Sequence, residues 1–280
     1  MKLGIHAYEW CSEWSNETLG IIDTVKELGF DFLEIPLMCL PKFDPAAVKE
    51  RLDGFCVTTS NVLLTDDVDI TSFDEDCRKN GVKYLKDCVK ASAEAGAKMF
   101  SGVIYSKYLK EAKCMPSDEE WQFSADAMRE VARYAADLGM SIAMEPVTRY
   151  ESYLLNTAEE AVKLVDMIGE PNVFVHLDSY HMNVEEKNFY EAVKTAGKKL
   201  SNFHMCENDR GIVGTGHVDW DGIFRAFKEI GFDGYLGFEG FSDCTENMST
   251  WVWRKLAPDA DTYVKESMKF ARAMMKKYDL

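Results

Sequence analysis

The chain repeats one motif eight times, a short apolar run followed by a stretch of helical periodicity, and few folds accept that rhythm. The apolar runs span residues 3–8, 32–36, 56–61, 99–105, 141–145, 173–178, 201–205 and 235–239, and each is rich in β-branched, aromatic or other large apolar side chains. Runs this short and this continuous suit parallel strands buried on both faces. Between them lie amphipathic stretches. Residues 18–28 carry Leu19, Ile22, Val25 and Leu28 on one stripe and stop at Gly29, and the same stop recurs at Gly96, Gly139, Gly169, Gly197 and Gly231. Glycine there takes the left-handed capping conformation without steric cost. Strand–helix alternation predicts a parallel sheet, and eight units predict a closed barrel. The expected fold is therefore α/β, a single (β/α)8 TIM barrel filling residues 1–280, a length typical of one such barrel.

Composition narrows the function. With 48 acidic and 32 basic residues the net charge is −16, which disfavours nucleic acid and anionic membranes, since both are bound through Lys and Arg clusters. A neutral substrate or a cation fits better. No apolar run approaches the ~20 residues needed to span a bilayer. The N-terminal MKLGIHAYEW is amphipathic and lacks a signal-peptide core, so a cytoplasmic protein is expected. The eight cysteines form no CxxC pair and read as reduced core thiols.

Four potential metal ligands fall at the ends of consecutive predicted strands: Glu145, Asp178, His204 and Glu239. Neighbouring barrel strands lie ~4.8 Å apart, so side chains at one height on adjacent strands converge. Three carboxylates and one imidazole make a mostly hard oxygen site, suited to Mn2+, Mg2+ or Co2+. Each residue alone reads more simply as a helix cap, an ion-pair partner or a satisfied core histidine; the set at equivalent positions is what points to a metal. Glu151, His181 and Arg210 follow three of these residues closely and are expected to overhang the same mouth. Tyr8, Trp10 and Trp14, near the first strand, are candidates for an apolar wall. The glycines of GIVGTG (Gly211, Gly214, Gly216) follow strand 7, where many barrels hold phosphate. Only Arg210 accompanies them as a base, and Asp219 reads as the next helix cap. Residues 106–116 and 241–258 are predicted long connections at the same end of the barrel.

The blocks EPVTRYESYLLNT, HLDSYHMNVEE and FHMCENDRGIVGTGHVDWDGIFRAFKEIGFDGY carry a resemblance to the ketose 3-epimerases of the D-tagatose and D-allulose (D-psicose) group, within the xylose-isomerase-like barrels. It runs from the N-terminus to the last helix. The resemblance implies an epimerase that inverts C3 of a free ketose through an enediolate. It implies Glu145, Asp178, His204 and Glu239 as metal ligands, with Mn2+ usual, and Glu145 and Glu239 as the catalytic pair. It further implies substrate contacts from Glu151, His181, Arg210, Trp14 and the position of His6, and a homodimer or homotetramer. Three features depart from the family pattern: His6 stands where a tyrosine is usual, Glu239 precedes Gly240 rather than a proline, and residues 106–116 lack an aromatic and proline-rich pattern. An aldose–ketose isomerase, or a dehydratase or lyase, on the same metal site is the nearest alternative. A non-catalytic sugar-binding barrel and a histidine-rich multi-metal nuclease are more distant ones, the latter opposed by the acidic charge and only five histidines.

Overall fold

The computed structural model describes residues 1–242, 252 and 254–280. Eight parallel strands close in sequence order into a barrel: β1 (Lys2–His6), β2 (Phe32–Pro36), β3 (Cys56–Ser60), β4 (Met99–Gly102), β5 (Ser141–Met144), β6 (Val173–Asp178), β7 (Leu200–Met205) and β8 (Tyr235–Phe238). The helices are α1 (Gly20–Glu27), α2 (Pro45–Leu52), α3 (Glu75–Ala95), α4 (Asp118–Asp137), α5 (Ala158–Ile168), α6 (Ser179–Glu185), α7 (Phe189–Ala196), α8 (Trp220–Ile230) and α9 (Ala260–Tyr278). No helix among the described residues is long and apolar enough to cross a membrane.

The six predicted glycine stops all adopt positive φ, from 52° at Gly197 to 95° at Gly96. Two strands end two or more residues earlier than their apolar runs suggest, for local reasons. β1 stops at His6 because the imidazole accepts the Tyr8 N–H and starts a 3-10 turn over Ala7–Glu9. β4 stops at Gly102, whose φ of 114° bends the chain against Asn61. The long connection at 241–258 is described only in part, with residues 243–251 and 253, including Cys244, outside the described residues.

Alternation along the strands sorts the core. Ile5, Leu33, Ile35, Phe100, Ile142, Val175, Leu177, Phe203, Leu236 and Phe238 are fully buried, and they form the strand side that packs on the helices. The residues between them face the barrel axis. There Phe32 fills the lower interior against Gly4 and Gly237: a Cβ on Gly4 would fall inside the Phe32 ring, and one on Gly237 would already touch it. The core-thiol expectation is corrected in part. Cys11, Cys88 and Cys206 are buried, but Cys39, Cys56 and Cys77 are only partly covered, and Cys114 is exposed on the 106–116 loop; all seven are free.

Because Gly4 makes room for Phe32, Gly4→Val should overpack the interior and lower stability by about 1–3 kcal/mol. Urea melts should show this, with part of the loss recovered when Phe32→Leu is added.

Candidate metal centre

Strand register brings the four predicted ligands together. Asp178 is paired with His204 across β6–β7, and Glu145 and Glu239 directly follow β5 and β8. His204 Nδ1 lies 3.8 Å from Glu145 Oε1, 3.7 Å from Asp178 Oδ2 and 3.6 Å from Glu239 Oε2. Exposure of these four residues runs only from 0% to 5%, so the carboxylates are out of reach of bulk water. Nδ1 itself has no hydrogen-bond partner. A buried nitrogen facing three carboxylate oxygens at distances too long for hydrogen bonds fits a bound divalent ion. The set Asp178, His204 and Glu239 has the mutual spacing of ligand atoms around one ion, as does Glu145 with Asp178 and His181.

Each ligand is fixed by its own support. Glu145 N–H continues the sheet by donating to Gly102 O (3.1 Å), and the Tyr105 hydroxyl donates to Glu145 O (2.9 Å). Asp178 also serves as the cap of α6, its Oδ1 accepting Tyr180 N–H at 2.6 Å while Oδ2 faces the centre. Its capping role and its place in the cluster therefore coexist. On the far side of the ring, His204 Nε2 meets Glu34 Oε1 of β2 at 3.1 Å.

Arg210 supplies the positive charge. Its Nη1 donates to Asp178 Oδ2 and Glu239 Oε2, each at 2.7 Å, and its guanidinium lies 4.1 Å over the Tyr180 ring. Its backbone φ is 65°, in the left-handed region. The acids respond differently. Burial pushes the Glu145 carboxyl well above the usual carboxylate range, with Glu239 and Asp178 adding to the rise and His204 opposing it. Burial would also raise Asp178 and Glu239, but Arg210 and His204 overcome it; Asp178 is held well below its ordinary value and Glu239 at about 2. For His204 burial opposes charge, yet Glu34 and Glu239 hold its pKa well above the ordinary value.

Above the cluster opens a cavity of about 690 Å³, lined in part by Tyr8, Asn61, Tyr108, Glu151, His181 and Arg210. Glu151 is held by two hydroxyls, Tyr108 donating to its Oε2 (2.9 Å) and Thr148 to Oε1 (3.1 Å), with His181 Nδ1 3.7 Å away. Tyr108 is positioned by the 106–116 loop, which Lys110 pins through Asp69 (3.0 Å), the Thr71 hydroxyl (2.9 Å), Glu120 (3.3 Å) and the Tyr153 hydroxyl (3.2 Å).

Two sequence expectations change, and a weaker candidate is set aside. Trp14 is buried in the main hydrophobic core and does not line the cavity, and Trp10 packs half-buried on that core. His6 lies beneath the mouth, fully buried, with Nδ1 accepting Tyr8 N–H and Nε2 3.0 Å from Ser60 Oγ. Tyr8, whose ring packs 4.1 Å from that imidazole, lines the cavity instead. The GIVGTG loop is no phosphate cradle: it wraps the buried Glu207 carboxylate, which accepts the N–H groups of Gly214 and Val218 and the Trp220 indole N–H. Sequence reading also passed over Glu34 and His176. His176 stands two residues before Asp178 on the same inward face, edge-on to His204 with ring centres 4.1 Å apart. A period-2 reading of FLEIP and VHLD exposes both.

The family model for xylose isomerase-like TIM barrels matches residues 22–274, and the chain belongs to that family. Among curated proteins it is 35% identical over 268 residues to the ketose 3-epimerase of Arthrobacter globiformis, covering 92% of this chain and 91% of that one. It is 34% identical over 281 residues to the L-ribulose 3-epimerase of Methylomonas sp., covering 97% of each. The crystal structure of D-allulose 3-epimerase from Methylomonas sp. in complex with D-allulose matches with a TM-score of 0.91 and 33% identity, over 98% of this chain and 97% of that one. Within the barrel family the chain therefore stands among the ketose 3-epimerases, an enzyme of the isomerase class.

Arg210, together with His204, offsets the charge of Asp178 and Glu239 when no metal is bound. Arg210→Met should therefore cost the metal-free protein about 3–5 kcal/mol by leaving buried charge uncompensated. Denaturant melts with chelator present should register the loss, and added Mn2+ should restore part of it.

Proposed function

We propose that this chain is a divalent-metal-dependent ketose 3-epimerase acting on a free ketose. The observation that carries the reading is the Nδ1 atom of His204 facing Glu145, Asp178 and Glu239 at 3.6–3.8 Å, beneath a cavity lined by polar groups. The names of the ketose and L-ribulose 3-epimerases that it resembles along most of its length support the same reaction.

Epimerising C3 requires taking a proton from the carbon next to the C2 carbonyl and returning one to the opposite face. Glu145 and Glu239 are assigned as the pair, one acting as base and the other as acid, with roles exchanged in the reverse direction. Their environments differ, since the Arg210 guanidinium donates to Glu239 Oε2 at 2.7 Å while Glu145 faces His204 Nδ1 at 3.8 Å, and unlike surroundings are what separate acid from base in such a pair. General acid–base chemistry contributes roughly 10²–10⁴ in rate, too little alone for a weakly acidic C–H. Glu145, Asp178, His204 and Glu239 would hold a divalent ion, which would supply Lewis-acid stabilisation of developing negative charge worth several kcal/mol. The hard oxygen donors suit Mn2+, Mg2+ or Co2+.

Glu151, His181 and Arg210 are assigned to the substrate hydroxyls. Glu151 accepts, and His181 sits with Nδ1 accepting the Thr148 N–H (3.2 Å) and Nε2 beside Arg210. Against a phosphorylated sugar stands the loop after β7, where Glu207 already takes the Gly214 and Val218 N–H groups. This reading takes residues 1–280 as one catalytic domain of a cytoplasmic protein, and the resemblance adds a homodimer or homotetramer.

The test is an assay of metal-stripped protein, with and without Mn2+, on D-fructose, D-tagatose, L-ribulose and tetruloses, resolving the products chromatographically. A Mn2+-dependent C3-epimeric ketose is expected, whereas an aldose product would instead establish an isomerase. Glu145→Gln and Glu239→Gln should each nearly abolish conversion; normal turnover in both would remove the assigned pair.

A further inference from the structure

His204 is held from behind by a residue outside the four-ligand set. Glu34 lies in the middle of β2, in register with His6 of β1 and Thr58 of β3, and is only 1% exposed. Its two oxygens are separately engaged. Oε2 accepts the Thr58 hydroxyl at 3.1 Å, and Oε1 lies 3.1 Å from His204 Nε2. The ring thus spans the barrel interior between an acid on β2 and three acids at the ends of β5, β6 and β8.

An ionised carboxylate only accepts hydrogen bonds, so the proton between His204 and Glu34 belongs to Nε2. With Nε2 committed, Nδ1 is the only ring nitrogen able to offer a lone pair, and it is the one facing Glu145, Asp178 and Glu239. The edge of His176, at 88° to the His204 plane, limits tilting of the ring. Hydrogen bonding from a ligating imidazole to a carboxylate fixes its orientation and raises its donor strength.

We propose that Glu34 is a positioning residue for the metal centre, which holds the His204 proton on Nε2 and so aims Nδ1 at the ion. The proposal rests on the reading of this cluster as a metal site. It predicts a graded response. Glu34→Leu removes the acceptor, whereas Glu34→Gln keeps a carbonyl oxygen for Nε2–H and an amide for the Thr58 oxygen but loses the charge.

The experiment is calorimetric titration of Mn2+ into metal-stripped wild type, Glu34→Gln and Glu34→Leu, together with spectra of 15N-histidine-labelled protein loaded with Mg2+. Mn2+ affinity should fall about 10–100-fold in Glu34→Leu and by a smaller factor in Glu34→Gln. The hydrogen-bonded Nε2–H signal of His204 should persist in wild type and Glu34→Gln and vanish in Glu34→Leu. Should Glu34→Leu fail to fold, an unchanged affinity in Glu34→Gln would overturn the charge-assisted role. Equal Mn2+ affinity in wild type and Glu34→Leu overturns the proposal alone, while a wild type that binds no Mn2+ overturns the metal-centre reading and the proposal with it.

Discussion

Four buried carboxylates, Glu34, Glu145, Asp178 and Glu239, crowd around one imidazole, and the surrounding structure is organised to tolerate that concentration of charge. An isolated buried carboxylate is strongly unfavourable unless paired and hydrogen-bonded. Here the compensation arrives from different parts of the chain. Arg210 reaches Asp178 and Glu239 from the loop after β7, the Tyr180 N–H comes from α6, and the Thr58 hydroxyl comes from β3. Glu145 has no such direct cation, and its carboxyl is the one driven toward the protonated form. The chemical asymmetry of the site thus follows from where one guanidinium can reach.

Much of the barrel was legible because its signals are local. Apolar runs, glycine stops and the convergence of Glu145, Asp178, His204 and Glu239 follow from strand order and spacing, and the closed sheet places them at one end. Glu34 and His176 were harder to see. In a barrel both strand faces are buried, so a polar residue facing the axis sits inside a run that otherwise reads as apolar. His6 and Trp14 illustrate a second limit. Their placement depends on the 3-10 turn after β1, which forms because the His6 ring caps it and because Tyr8 then packs on that ring. No pattern in MKLGIHAYEW alone specifies that contact. The glycines after β7 lacked the basic company of a phosphate site, as the sequence shows, but their actual partner, Glu207, precedes them in the loop and looks like one more surface acid.

The mouth is built with similar economy. Lys110 ties the segments following β3, β4 and β5 to the first turn of α4 through Asp69, Thr71, Glu120 and Tyr153. That anchoring holds Tyr108 against Glu151, and Leu109 N–H to Glu151 O doubles the connection. Glu151 is therefore oriented by the neighbouring loop as much as by its own. The departure of residues 106–116 from the family pattern falls on this support.

The Glu207 loop carries a consequence for binding. A loop that recognises phosphate keeps N–H groups free to meet the anion. The segment from Glu207 to Trp220 is already closed around its own internal anion. Arg210 leaves from that closed segment, its N–H bonded to Glu207 O. This wall of the cavity is consequently finished before any sugar enters.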